Sequence, residues 1–311
     1  MTANHKFTGC DSPYSVKLDA EASAKHGINY APVGCGKCYN CRYKRISGWS
    51  FRLQEELKVS NTAYFITLTY DTHHVPITTG RYPMTLKKKD LQDFLKRLRY
   101  YDSEYYANYS TKAKQLQKPK KIKYYGCGEY GGSKKKRPHY HLILFNVVDP
   151  NSIYKAWATA IVEKGVTIGF HPFGIIDIDE DVNATNIEYV LKYICKDDQG
   201  IGKAKNDFRI PEFSLMSKGL GKDWITVDIE TFYNKRLDIA YILREDGVKI
   251  AMPKYYSNKM FTEETKEQRL PYIKRGIEER EAKNRKSDKE KASDAFYRNH
   301  LNNNYKKRKD V

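Results

Sequence analysis

Along this chain, apolar positions recur with a period of two in some stretches and near 3.6 in others, which divides it into strands and helices. Ala63–Tyr70 is dense in β-branched and aromatic residues and predicts a central strand. From Thr85 to Tyr100, Leu86, Leu91, Phe94, Leu95 and Leu98 form one stripe, and Lys87, Lys88, Lys89, Lys96, Arg97 and Arg99 cover much of the remainder, so this stretch predicts an amphipathic helix. Polar residues 101–121 follow. Two further strand-like runs, Ile122–Tyr130 and Arg137–Phe145, flank the polar, basic and glycine-containing Gly131–Lys136, which folds them into an antiparallel hairpin. A second helix is predicted over Ser152–Glu163 with Trp157 and Ile161 inward, then a strand over Phe173–Ile178 and a helix over Asn186–Lys196.

The order up to that last helix is β-α-β-β-α-β. It predicts an α+β fold: an antiparallel sheet with helices on one face, the split βαβ core of ferredoxin-like and RRM-like layers, with an open face. Residues 1–61 read as a Cys-rich helical appendage, turn-rich to Cys41 and then a basic helix from Arg42 to about Val59 in which Trp49, Leu53 and Leu57 repeat at helical spacing. The core domain is expected over 62–260, mixed in character beyond residue 197, with a flexible loop at Ser217–Gly221. Residues 261–311 turn to dense alternating charge, which predicts a solvated helix or a disordered basic tail.

Composition changes the picture in one respect above all. In 311 residues, 56 Lys and Arg stand against 38 Asp and Glu, a net charge of +18, and that excess points to a polyanionic partner. An anionic membrane is the competing partner, but no stretch reaches the apolar length of a span and the N-terminus carries no signal-peptide pattern, so a soluble intracellular protein is expected. Six cysteines are too few for a disulfide framework at this length. Cys35, Cys38 and Cys41 follow one another at three-residue intervals, and Cys10 can supply a fourth sulfur. The four read either as a structural Zn²⁺ site or as reduced thiols near a surface loop.

The chemistry concentrates in two places. In Arg137–Phe145, His139 and His141 point the same way from one strand, about 7 Å apart, while Tyr140 points the other way. The hairpin brings Glu129 opposite them, so that two imidazoles and a carboxylate surround one point. In the 186–196 helix, Tyr189, Lys192, Tyr193 and Lys196 sit at offsets of 0, 3, 4 and 7, on one helical face, while Ile187, Val190, Leu191 and Ile194 point elsewhere. A phenol, with its ordinary pKa near 10, is a poor nucleophile at neutral pH and needs nearby cations or a polarised electrophile. Taken singly, each pattern has a plain structural explanation: histidines satisfied in a core strand, and lysines snorkelling beside surface tyrosines.

Together they resemble the HUH single-stranded DNA endonucleases, and most closely the replication initiators of microviruses, in particular their gokushovirus branch. The resemblance rests on Gly34–Arg42, Phe65–Thr69, Gly128–Gly131 with Arg137–His141, Tyr189–Lys196 and Pro253–Tyr256, in the expected order. It implies a rolling-circle replication initiator that nicks single-stranded origin DNA, stays joined to the 5′ phosphate through tyrosine, leaves a 3′ hydroxyl for host polymerase and later rejoins the strand. It further implies Mg²⁺ or Mn²⁺ at His139, His141 and Glu129, alternating nucleophiles Tyr189 and Tyr193, and Lys192 and Lys196 at the scissile phosphate. Action in the cytoplasm of a bacterial host, with a host helicase as a further partner, belongs to the same expectation. The competing readings are a plasmid relaxase or transposase of the same chemistry, and a non-catalytic nucleic-acid binder whose tyrosines stack on bases.

Overall fold

The computed structural model describes residues 10, 12–36, 38–109, 119–131, 136–194, 201–202 and 204–283. The chain divides into two compact units: residues 52–222, and residues 1–51 together with 223–311.

In the latter unit, strands β1 (Tyr14–Lys17) and β2 (Tyr30–Val33) pair antiparallel, with Tyr14 opposite Val33. Between them lies a helix, Ala20–His26, where the sequence predicted turns. Its ends are well specified: the Asp19 side chain accepts the Ala22 amide at 2.8 Å, and Gly27 closes it in the left-handed conformation. A 21-residue helix, Tyr39–Val59, follows and runs from this unit into the next.

The 52–222 unit is built on β3 (Ala63–Thr69), β4 (Lys123–Tyr130), β5 (Pro138–Phe145), β6 (Ala158–Glu163), β7 (Val166–Pro172), β8 (Ile176–Asp179) and β9 (Phe213–Met216). Five of these form one sheet in the order β8-β3-β5-β4-β9, and every adjacent pair is antiparallel. Since β3 and β4 both run opposite to β5, they are parallel to each other with β5 between, and the Lys88–Tyr109 helix connects them. This is the expected split βαβ arrangement, extended at one edge by β9.

One face of the sheet carries the main core. Tyr64, Ile66 and Leu68 of β3 and Tyr140, Leu142 and Leu144 of β5 alternate onto it, against Leu91, Phe94, Leu95 and Leu98 of the long helix and Trp157 beside the short Asn151–Ala156 helix. Each such side chain, fully buried, contributes about 1.5–3 kcal/mol. Two glycines on β4 make room for this packing: a Cβ at Gly126 would stand 2.8 Å from Leu142 Cγ, and one at Gly128 would stand 3.0 Å from both Leu86 and Phe213. The long helix begins at Lys88 because strand tyrosines satisfy the residues before it; the Tyr130 hydroxyl accepts the Leu86 amide at 3.0 Å and the Tyr140 hydroxyl accepts the Lys87 amide at 3.1 Å. It continues to Tyr109, beyond the predicted Tyr100, where Asp102 caps the next turn of chain by accepting the amides of Val148 and Asp149.

The predicted Ser152–Glu163 helix is corrected. Helix spans only Asn151–Ala156, and Ala158–Glu163 is β6, paired with β7 in a separate hairpin. Trp157 is buried as expected, but Ile161 is 45% exposed. The β-branched Thr159, Ile161 and Val162 favour a strand, and Lys164 and Gly165 both take positive φ (47° and 81°), the signature of a type I′ hairpin turn. The strand expected over Phe173–Ile178 is centred later, at Ile176–Asp179.

In the other unit, a second hairpin of β10 (Tyr241–Leu243) and β11 (Lys249–Ala251) joins the Val227–Lys235 and Lys254–Met260 helices around Phe51, Tyr233, Ile242, Ile250 and Tyr256. From the expected 261–311 tail, Glu263–Lys283 is helical, and residues 284–311 lie outside the described residues.

Candidate metal and nucleophile site

β4 and β5 pair so that Glu129 lies opposite His139 and Cys127 opposite His141. Alternation turns Glu129, His139 and His141 to the sheet face away from the main core, and their ligand atoms lie within 4.8 Å of one another. His139 Nε2 is 2.7 Å and His141 Nε2 is 3.1 Å from the same oxygen, Glu129 Oε1. The two imidazole rings stand perpendicular, with centroids 4.9 Å apart. Glu129 and His141 are buried.

The outer nitrogens show how the rings are set. His139 Nδ1 is 3.1 Å from the Arg137 carbonyl oxygen, and a carbonyl only accepts, so Nδ1 carries the proton. In the neutral ring Nε2 then holds a lone pair facing a carboxylate oxygen, an arrangement that calls for a cation or a proton between them. His141 Nδ1 is 3.0 Å from Thr67 Oγ1, the residue opposite it on β3, and in the same tautomer donates to that hydroxyl. Imidazoles held through Nδ1 by oxygen acceptors, with Nε2 turned inward, are the usual arrangement of histidine metal ligands. Cis ligands of an octahedral ion at about 2.1 Å are separated by about 3 Å, which the observed Nε2 to Oε1 spacings match. The donor set therefore fits a divalent cation.

The sheet face carrying the triad is not left open. The helix after β8, at Ala184–Ile194, begins with a reciprocal cap: the Asn183 side chain accepts the Thr185 amide at 2.9 Å, and Asn186 Oδ1 accepts the Asn183 amide at 3.0 Å. Asn186 also donates to Asp179 of β8 at 3.0 Å, which ties the helix start to the sheet edge. Ile187, Val190 and Leu191 are buried, as the periodicity predicts. Tyr189 is 40% exposed, and its ring meets His141 edge-on at 5.6 Å and Phe65 at 5.9 Å. Phe65 in turn lies parallel to His141 at 5.8 Å. A phenol thus stands against a ligand imidazole, open to solvent on its other side. Lys192 and Tyr193 lie three and four residues further along the same helix, so one helical face carries all three. The side chains of Lys192 and Tyr193, and the whole of Lys196, lie outside the described residues.

Within the 1–51 part of the other unit, Cys10, Cys35, Cys38 and Cys41 come together, their sulfurs within 4.8 Å of one another. Backbone amides point at the sulfurs in sequence: Cys35 N donates to Cys10 Sγ and Cys38 N to Cys35 Sγ, both at 3.2 Å, and Cys41 N to Cys38 Sγ at 3.5 Å. Burial pushes the Cys41 thiol up to about 12, and the sulfurs of Cys38 and Cys10 push the same way. Four thiolates so close need a cation to coexist, and four sulfurs at this spacing fit tetrahedral Zn²⁺.

Two contributors to the triad could not be singled out from sequence. Thr67 and Phe65 read only as strand residues, because their positions against His141 depend on the pairing of β3 with β5, across 74 residues of chain between Thr67 and His141.

Residues 63–198 match a family of replication-associated proteins, the ORF2 type. The chain is similar to the replication-associated protein ORF2 of Spiroplasma virus 4, with 28% identity over 291 residues, covering 90% of this chain and 83% of that one. It is similar to the replication-associated protein VP4 of Bdellovibrio phage phiMH2K, with 25% identity over 72% of this chain and 66% of that one. A third relative, the replication-associated protein ORF4 of Chlamydia phage 1, shares 25% identity over 73% of this chain and 53% of its own. No solved structure matches.

Proposed function

Because this chain is a relative of phage replication-associated proteins and matches their ORF2-type family over residues 63–198, we propose that it initiates rolling-circle replication by nicking and rejoining single-stranded origin DNA. The observation that carries this reading is the meeting of Glu129, His139 and His141 at one point with the Tyr189 ring packed on His141. Held by that triad, Mg²⁺ or Mn²⁺ withdraws electron density from the scissile phosphate, and two imidazoles beside one carboxylate favour Mn²⁺.

The chain's own residues do the rest. The Tyr189 hydroxyl attacks phosphorus, the Oη–P bond forms and the P–O3′ bond breaks. The phenolic proton ends on the departing 3′ oxygen, and the 5′ phosphate stays esterified to tyrosine. One phosphodiester replaces another, so little free energy is lost and the 3′ hydroxyl of a later strand can reverse the step. Tyr193, one helical turn on, serves as the second nucleophile, and Lys192 and Lys196 supply positive charge along the same face to stabilise phenolate and phosphate. Host polymerase extends the free 3′ hydroxyl, a host helicase opens the duplex ahead of it, and the reaction takes place in the cytoplasm of the bacterial host. In this reading the four cysteines hold a structural Zn²⁺ that braces the N-terminal segment.

The test is a covalent adduct. The full-length protein is incubated with a single-stranded origin oligonucleotide and Mn²⁺, then denatured and resolved. A protein–DNA band is expected that disappears with chelator, with His139→Ala and with the pair Tyr189→Phe and Tyr193→Phe. Binding without any band would leave the non-catalytic binder as the function, and undiminished cleavage by His139→Ala would overturn the metal assignment.

A further inference from the structure

The turn that follows β3 carries a second group of metal-type ligands, which nicking does not use. Asp71 and His74 lie three residues apart in that turn, and His171 lies near the end of β7. A carboxylate oxygen of Asp71, a ring nitrogen of His74 and one of His171 fall within 4.8 Å of one another. The backbone fixes all three. Asp71 Oδ1 accepts the amides of His73 and His74, each at 2.8 Å, while the Asp71 amide donates to the Phe173 carbonyl at 2.8 Å and holds the end of β7 against the turn. His74 Nδ1 is 2.9 Å from both Asp71 oxygens, and its ring is 5.3 Å from the His171 ring.

A local turn closed by one ion pair accounts for Asp71 and His74. It does not account for His171, which arrives from a different strand with its ring nitrogen in the same small volume. We propose that Asp71, His74 and His171 bind a borderline divalent cation, Zn²⁺ in preference to Mg²⁺ or Ca²⁺. Two imidazoles and one carboxylate suit Zn²⁺, whereas Mg²⁺ and Ca²⁺ take oxygen ligands. His171 is exposed and Asp71 and His74 are only partly covered, so water completes the coordination and the ion exchanges with solvent. Its role is to staple the turn after β3 to the β6–β7 hairpin. This site is separate from the Glu129 triad in residues and in setting, and does not depend on the nicking reaction.

The experiment is equilibrium dialysis of chelator-stripped full-length protein against micromolar Zn²⁺, followed by elemental counting, for wild type, His171→Ala and Asp71→Asn. Both variants are expected to hold one zinc fewer than wild type, since the Cys cluster and the Glu129 triad are intact in all three. Added Zn²⁺ is also expected to raise the melting temperature of wild type more than that of His171→Ala. The exposed His171 makes its ring contact with His74, so His171→Ala should melt with wild type in chelator and remain decisive even if Asp71→Asn disturbs the turn. Equal zinc content in wild type and His171→Ala would overturn the proposal, whatever the outcome of the nicking assay.

Discussion

At the scale of single residues, Thr67 decides how well His141 can act as a ligand. Its hydroxyl takes the Nδ1 proton at 3.0 Å and so keeps the Nε2 lone pair aimed at Glu129. Thr67→Val keeps the shape and removes the acceptor, and Mn²⁺ affinity should fall about 10–100-fold. Thr67→Ser should retain it, and titration followed by electron paramagnetic resonance would measure both; equal affinity for Val and Ser would show that the contact does not orient the ring. His139, His141 and Glu129 were legible in sequence because strand alternation and a short hairpin are local rules. Thr67 was not, since strand pairing across long separations leaves no trace in a single sequence. Tyr189 was legible through helical spacing, but its seat on His141 and Phe65 came only with the fold.

At the scale of elements, the stretch around Asp207 is held by one buried ion pair. The Asp207 carboxylate receives Arg209 Nε at 2.8 Å and an Arg209 terminal nitrogen at 2.7 Å, as well as the Gly202 amide at 3.1 Å. The Arg209 guanidinium also lies over the rings of Tyr82 at 4.0 Å and Tyr130 at 5.3 Å, the latter next to Glu129. Its hydrogen bonds hold the Asp207 carboxyl well below the usual carboxylate range. A depressed folded-state pKa means that this stabilisation is full above about pH 4 and is lost as the pH falls from there toward the lower native value. Asp207→Asn should cost about 3 kcal/mol at neutral pH, and the gap between the two proteins' unfolding free energies should narrow on acidification below pH ~4; a constant gap would contradict the pairing. The loop itself was unreadable from sequence, because it is organised by contacts with β4 and the 80–82 turn rather than by periodicity. The β6–β7 hairpin was missed for a different reason. Trp157 and Ile161 lie four apart and mimic a helix, and the β-branched run between them was outweighed.

At the scale of the whole molecule, the +18 charge is the property most open to a solution test. Among the described residues no helix is long and apolar enough to cross a membrane. If the excess charge tracks a single strand of DNA and about six phosphates are contacted, affinity should fall roughly several hundredfold between about 50 and 200 mM salt. Fluorescence anisotropy with a labelled oligonucleotide would give the slope, and a flat line would rule out backbone contacts as the source of binding. The sheet order was predictable because the β-α-β-β-α-β succession admits few arrangements. The extra strand β9 and the hairpin of β10 and β11 were not, since three- and four-residue strands carry too little pattern to register.

Both imidazoles sit on β5, the middle strand of five, zipped to a neighbour along each edge. Tyr189 instead rides on an eleven-residue helix laid over the sheet. Local opening follows that difference: amides of 139–145 should exchange with solvent only when the domain unfolds, while those of 184–194 exchange far sooner. The grip on the ion can then outlast the docking of the nucleophile, so one phenol can swing out carrying its strand and the other swing in, over an anvil that never moves.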